Sequence, residues 1–229
     1  MQEAIANTLY DELEDSAAHV IFKDDESLKA SKLKALELVS TTAVMDMKSA
    51  LKATVTIKTN DSFGSGCVVS NDGYILTSYH VISDSPDSTI KVITSKGDTL
   101  NCKLDRTSKM ADLALLKTVS TFPFSFNLKK LVEFEVSDEV MAIGTPASME
   151  LSQTVSKGII SGVRKGSDKL TLIQTDVSVS PGNSGGPLVT STGSFIGVVN
   201  SKISGSRVEG LGFCTPLIDV ISRLNLKVK

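Results

Sequence analysis

From about Ala53 to Cys214 the chain breaks into short runs of alternating Val, Ile, Thr and Leu, closed by turn signals such as "NDG" at 71 to 73, "KGD" at 96 to 98 and "STG" at 191 to 193. A period of two sends one side of each run into a core, and Gly, Asn and Asp at the breaks supply tight reversals. Strands are expected at 53 to 58, 66 to 70, 74 to 78, 89 to 95, 98 to 104 and 112 to 117, then at about 138 to 144, 153 to 163, 169 to 175, 186 to 190, 195 to 203 and 208 to 214. Between the two groups, "STFPFSFNLKKLVEF" (120 to 134) lacks the pattern and reads as a looser linker. Two strand groups around a linker fit two packed barrels or a sandwich, and periodicity alone leaves that choice open.

The ends of the chain have a different texture. In residues 2 to 22, Ile5, Leu9, Leu13, Ala17 and Val20 or Ile21 recur at steps of three and four, the spacing of an amphipathic helix. The acidic "KDDES" at 23 to 27 interrupts this stripe, and Leu28, Leu33, Leu36 and Val39 begin a second helical pattern. Residues 1–50 are therefore expected to be a helical extension to the unit at 51–229, whose barrels would occupy about 53–120 and 135–215. At the other end, Pro216 stands at a helix start and Leu217, Val220, Ile221 and Leu224 share a face, so a short closing helix is expected.

Composition removes several classes of function. A formal charge of −2 and scattered lysines supply no field for nucleic acid. No apolar run approaches the roughly 18 residues of a membrane span. Cys67, Cys102 and Cys214 are widely spaced and odd in number, which reads as buried free thiols rather than a disulfide scaffold or zinc site, so neither metal nor cofactor is expected. Met1-Gln2-Glu3 lacks the basic-then-apolar order of a signal peptide. A native start at Met1 would imply the cytoplasm and a removed signal an extracytoplasmic site, and both remain open.

Only His19 and His80 could act as an imidazole base. His19 lies in the amphipathic N-terminal pattern and reads as a helix-surface or interface residue. His80 ends "GYILTSYH", a strand that runs from a tight turn into the polar loop "SDSPDS", and strand ends are where a scaffold holds reactive groups. A satisfied core histidine is the alternative. In "MADLALLK", Asp112 is expected on strand backbone at a buried edge, where a carboxylate needs a partner; a surface strand start would need none. In "SVSPGNSGGPLV" (178 to 189), Gly182, Gly185 and Gly186 bracket Ser184. A tight turn there could aim the amides of Gly182 and Ser184 at one point, as an oxyanion hole requires.

"GSGCVVSNDGYILTSYHVI", "ADLALLK" and "TDVSVSPGNSGGPLV" resemble, in that order, the motifs around the catalytic residues of trypsin-like serine proteases. With "GFCTP" at 212 to 216 the resemblance covers about residues 53 to 225 and is nearest to the HtrA (Deg) branch. It implies a mainly β fold, a trypsin-like double β-barrel, with His80 as general base, Asp112 as its orienter, Ser184 as nucleophile and Gly182 and Ser184 as oxyanion donors. Two departures stand out. Asn183 precedes the nucleophile where digestive relatives carry an aspartate that pairs with a freshly cut N-terminus, so activation by zymogen cleavage is not expected. No PDZ domain is expected after the final helix.

Six positions before the nucleophile, Ser178 stands where a trypsin-type pocket has its aspartate, so a basic substrate side chain meets no partner. Val179 and Ile203 are candidates for an apolar pocket wall resembling the small aliphatic preference of the family, or are plain core residues. The expected activity is metal-independent endopeptidase action on protein or peptide substrates. A catalytically latent module that binds or scaffolds until a partner activates it, and an esterase with the same triad, are the rivals. The N-terminal helices are read either as a brace on the barrels or as an interface to a homo-oligomer, such as a trimer, or to a partner protein.

Overall fold

The computed structural model describes residues 34–39, 42–85, 89–145, 153–165, 170–180, 182–202 and 211–228, with backbone alone at 201 and 202. The expected helix over 2 to 22, His19 and Ile203 lie outside them. Among the described residues no helix is long and apolar enough to cross a membrane.

Strand β1 (Leu36–Leu38) and helix α1 (Met47–Ala53) lead into β2 (Thr54–Lys58), β3 (Phe63–Val68), β4 (Tyr74–Thr77), β5 (Lys91–Ile93), β6 (Thr99–Asn101), β7 (Lys103–Ser108) and β8 (Leu113–Lys117). Strands β2 to β8 form one antiparallel sheet in the order β6-β5-β2-β3-β4-β8-β7. The second group is β9 (Glu139–Gly144), β10 (Thr154–Lys165), β11 (Thr171–Thr175), β12 (Pro187–Thr190), β13 (Phe195–Lys202) and β14 (Gly212–Pro216). It closes on itself as a barrel, β10-β11-β14-β13-β12-β9. Helix α2 (Leu217–Arg223) and strand β15 (Leu226–Val228) complete the chain. The architecture is the mainly β double barrel, and among the described residues no strand pairs across the two groups.

The closing helix appears where Pro216 and its apolar face place it, with Leu217 and Val220 buried. The expected strand at 98 to 104 is instead two strands that meet at Cys102, and the second runs on to Ser108. The linker is not loose: Phe122, Phe126 and Leu128 are buried in the larger core cluster, and the Phe126 ring lies 5.2 Å from that of Phe195 on β13.

The helical reading of residues 36 to 39 is corrected. Leu36–Leu38 is a strand that pairs in parallel with Leu226–Val228. Leu38, absent from the expected stripe, is 1% exposed, whereas Val39 is 50% exposed. Leu-Glu-Leu alternates with a period of two, and an available strand edge decides between that reading and a helical one. Arg106 of β7 fastens this corner. Its guanidinium donates to the main-chain carbonyls of Lys34 at 2.7 Å, Leu224 at 3.1 Å and Asn225 at 3.0 Å.

Candidate active site

Strand β4 ends at Thr77, and a single 3-10 turn, Tyr79–Val81, carries His80 at its middle. A second 3-10 turn, Lys109–Ala111, ends at Asp112 immediately before β8. Asp112 is not on strand backbone, as expected from sequence. It adopts the left-handed conformation, φ 49° and ψ 47°, which aspartate tolerates better than most side chains. That turn aims the carboxylate back across β4. Its Oδ1 accepts the main-chain N–H of His80 at 2.9 Å, and its Oδ2 lies 2.7 Å from the ring Nδ1. An ionised carboxylate can only accept, so Nδ1 carries the proton and Nε2 is left as a base. Burial disfavours the imidazolium, but the hydrogen bond and charge of Asp112 outweigh it and raise the His80 pKa above its ordinary 6.5.

Ser184 stands on the loop between β11 and β12, and that loop is pinned by the other barrel. Ser65 of β3 donates its hydroxyl to the Gly182 carbonyl at 2.7 Å and its N–H to the Ser184 carbonyl at 2.8 Å. From the Ser184 side, the Gly185 N–H donates to Val199 of β13 at 2.7 Å. Gly182 has φ +100°, and a Cβ there would fall 1.8 Å from the Thr145 carbonyl oxygen. No other residue fits without moving that backbone. Among the described residues the N–H groups of Gly182 and Ser184 have no acceptor. The Ser184 hydroxyl donates to the main-chain carbonyl of Asn200 at 3.0 Å and makes no hydrogen bond to His80.

The structure thus brings His80 and Asp112 into direct contact, with Ser184 on the facing loop. Asn183 is buried beside Ser184 and donates its side-chain amide to the Ser178 carbonyl at 3.0 Å, while its Oδ1 has no hydrogen-bond partner among the described residues. Ser178 is exposed, and Val179 is buried in the core of the second barrel. Asn200, which the sequence analysis passed over, is 6% exposed and touches both halves of the site. An amide inside the apolar run "FIGVVNSK" was its one visible signal.

A double barrel with a carboxylate-clamped histidine facing a glycine-bracketed serine defines a class of protein, and the comparisons agree. The family model for the trypsin-like peptidase domain matches residues 64–198. The chain belongs to the trypsin-like serine proteases, in their HtrA branch. It is 35% identical over 180 residues to the serine protease Do-like HtrA of Bacillus subtilis, covering 71% of this chain and 38% of that protein. With the Do-like HtrA of Lactobacillus helveticus it shares 33% identity over 228 residues, 94% of this chain and 49% of the relative. A probable periplasmic DegP-like endoprotease of Hahella chejuensis is 37% identical over 172 residues, 71% of this chain and 35% of its own length. The chain spans at most about half the length of these relatives.

Proposed function

We propose that the chain is a serine endopeptidase in which Ser184 attacks a peptide carbonyl, His80 takes its proton at Nε2, and Asp112 holds the imidazole in the required tautomer. The tetrahedral oxyanion is held by the N–H groups of Gly182 and Ser184. His80 then passes the proton to the leaving amine, and water hydrolyses the acyl-enzyme by the same route. The observation that carries this reading is the two-point grip of Asp112 on His80, through its main chain and its ring. A partly buried carboxylate is costly to place unless it is paired, and both oxygens of Asp112 are directed at this one histidine.

With Ser178 uncharged, cleavage after small aliphatic residues is the matching preference. Protein or peptide segments are the substrates. The unit at 51–229 would act as the peptidase domain, and residues 1–50 as a brace or as a contact to a second copy or partner.

One observation favours a second reading. The Ser184 hydroxyl donates to the Asn200 carbonyl rather than to His80, so no hydrogen bond joins the proposed nucleophile and base, as in a latent module. A fluorophosphonate probe on the full chain separates the two readings. Labelling at Ser184, lost in Ser184→Ala and reduced by roughly 10³ or more in His80→Ala, supports the peptidase. No labelling of the wild-type chain, with or without peptide, supports the latent module. Ester turnover without peptide turnover would select the esterase.

A further inference from the structure

We propose that Ser65 is a positioning residue for the oxyanion hole, its buried hydroxyl fixing the peptide that lies between the two N–H donors; this rests on the roles given above to Gly182 and Ser184. One donor stands before the peptide from Gly182 to Asn183 and the other after it, so the tilt of that peptide sets how the two N–H groups converge. Its own N–H, that of Asn183, donates to the Ser180 carbonyl at 2.9 Å. That bond stays within the loop. Its carbonyl, on Gly182, accepts the Ser65 hydroxyl of the other barrel at 2.7 Å. Gly182, at φ +100° and without a Cβ, offers little steric resistance to rotation, so polar ties must hold the angle.

The surroundings of Ser65 fix the direction of its hydroxyl. The residue is fully buried, and the Thr145 N–H donates to its Oγ at 3.0 Å. With that lone pair engaged, the single hydroxyl proton is left for the Gly182 carbonyl. Thr145 also sets its carbonyl oxygen where a Cβ on Gly182 would fall, so one short stretch of the seam holds Gly182 from two sides. The Ser65 backbone is held in turn, its N–H donating to the Ser184 carbonyl at 2.8 Å and its carbonyl accepting the Thr77 hydroxyl at 2.7 Å. Gly64 permits this approach, because a Cβ there would lie 3.0 Å from the Ser184 carbonyl oxygen. Alanine at position 65 would leave the Thr145 N–H without this acceptor and the Gly182 carbonyl without this donor.

The test uses the full chain with Ser65→Ala and, as control, Thr56→Val, which removes another buried hydrogen bond of the seam, 2.7 Å to Thr145, and leaves the Gly182 carbonyl its donor. A peptidyl trifluoromethyl ketone reads the hole directly: Ser184 Oγ bonds to the ketone carbon, the carbonyl oxygen becomes the oxyanion and the serine proton passes to His80. In folded Ser65→Ala, kcat for a peptide should fall by about 30-fold or more with KM within about threefold, and affinity for the ketone should fall by about the same factor as kcat/KM. Thr56→Val should lower the melting temperature and leave kcat and ketone affinity near wild type. A brace without a positioning role would make Ser65→Ala behave like Thr56→Val, and that result overturns the proposal.

Should Ser65→Ala fail to fold, Ser65→Cys keeps a weaker donor of similar size. Its loss should be smaller, about three- to tenfold, and again confined to kcat and ketone affinity; no loss in that folded variant overturns the proposal. In the wild-type chain the Ser65 hydroxyl proton should exchange slowly with water by NMR, and fast exchange overturns it as well. The two failures are distinct. A wild-type chain that neither labels with the fluorophosphonate nor cleaves peptide sinks the peptidase reading and this proposal with it, whereas an active wild type with an unimpaired Ser65→Ala sinks the role of Ser65 alone.

Discussion

In the proposed mechanism His80 and Asp112 set the pH behaviour, because their contact is worth more to the charged imidazole than burial costs it. If His80 is the base, it must be neutral to accept the Ser184 proton, and the acid limb of kcat/KM is expected above the ordinary histidine value of 6.5. Asp112→Asn removes the raising influence and leaves burial, which lowers the pKa; the limb should move below 6.5 as overall activity collapses. A pH-rate profile of both proteins checks the direction. The same shift has a sign in stability. A pKa raised on folding stabilises the protein fully below the unfolded value near 6.5, and this increment is lost as pH rises through the folded value. The melting temperature of the wild type relative to His80→Ala should therefore fall across that window. Gly182 adds a steric condition: Gly182→Ala must displace the Thr145 carbonyl, so activity should fall more than tenfold, read as kcat on a folded variant.

At the scale of elements, the two-stranded sheet of β1 and β15 is the part that local pattern misjudged. Leu36 pairs with Leu226, near the opposite end of the chain, and no neighbouring residue announces that partner. Arg106, 6% exposed, holds the corner through three carbonyls that would otherwise lack this donor. Arg106→Ala should lower unfolding free energy by about 2–3 kcal/mol, the scale of hydrogen bonds to a charged group whose partners are left buried. Urea denaturation measures it. Helix α1, by contrast, is announced locally. Asp46 accepts the Ser49 N–H at 2.7 Å and its own N–H donates to the Ser49 hydroxyl at 3.1 Å, a reciprocal cap visible in "DMKS".

Over the whole molecule, polar threads run between the barrels beside a shared apolar core that takes in Ile143, Val189, Phe195 and Val198 of the second barrel. Thr56 and Thr145 share a hydrogen bond of 2.7 Å, and the Cys67 thiol under the Ser184 loop donates to the Gly185 carbonyl at 3.3 Å. Burial lifts all three thiols out of the reactive range, Cys102 to about 11, with Cys67 and Cys214 also pushed well up. A thiol reagent at neutral pH should find almost none of them in the native chain and all three after denaturation. Early exposure of one thiol during a denaturant titration would show the seam opening before the cores.

Two strand groups, their turns, the closing helix and the candidates His80, Asp112 and Ser184 could be read from residue order, because alternation, turn chemistry and motif spacing are local properties of the chain. The left-handed turn at Asp112, the strand at Leu36–Leu38 and the bulge at Asn200 could not. Each depends on a partner distant in sequence: the His80 N–H and ring for Asp112, β15 for β1, and Thr215 and Ala111 for Asn200. Local propensity among such short segments differs by less than a single buried hydrogen bond or strand pairing contributes. Tertiary structure therefore decided where the carboxylate points and where the serine hydroxyl rests, while the sequence alone determined that a histidine, a carboxylate and a glycine-bracketed serine would be carried on two groups of strands.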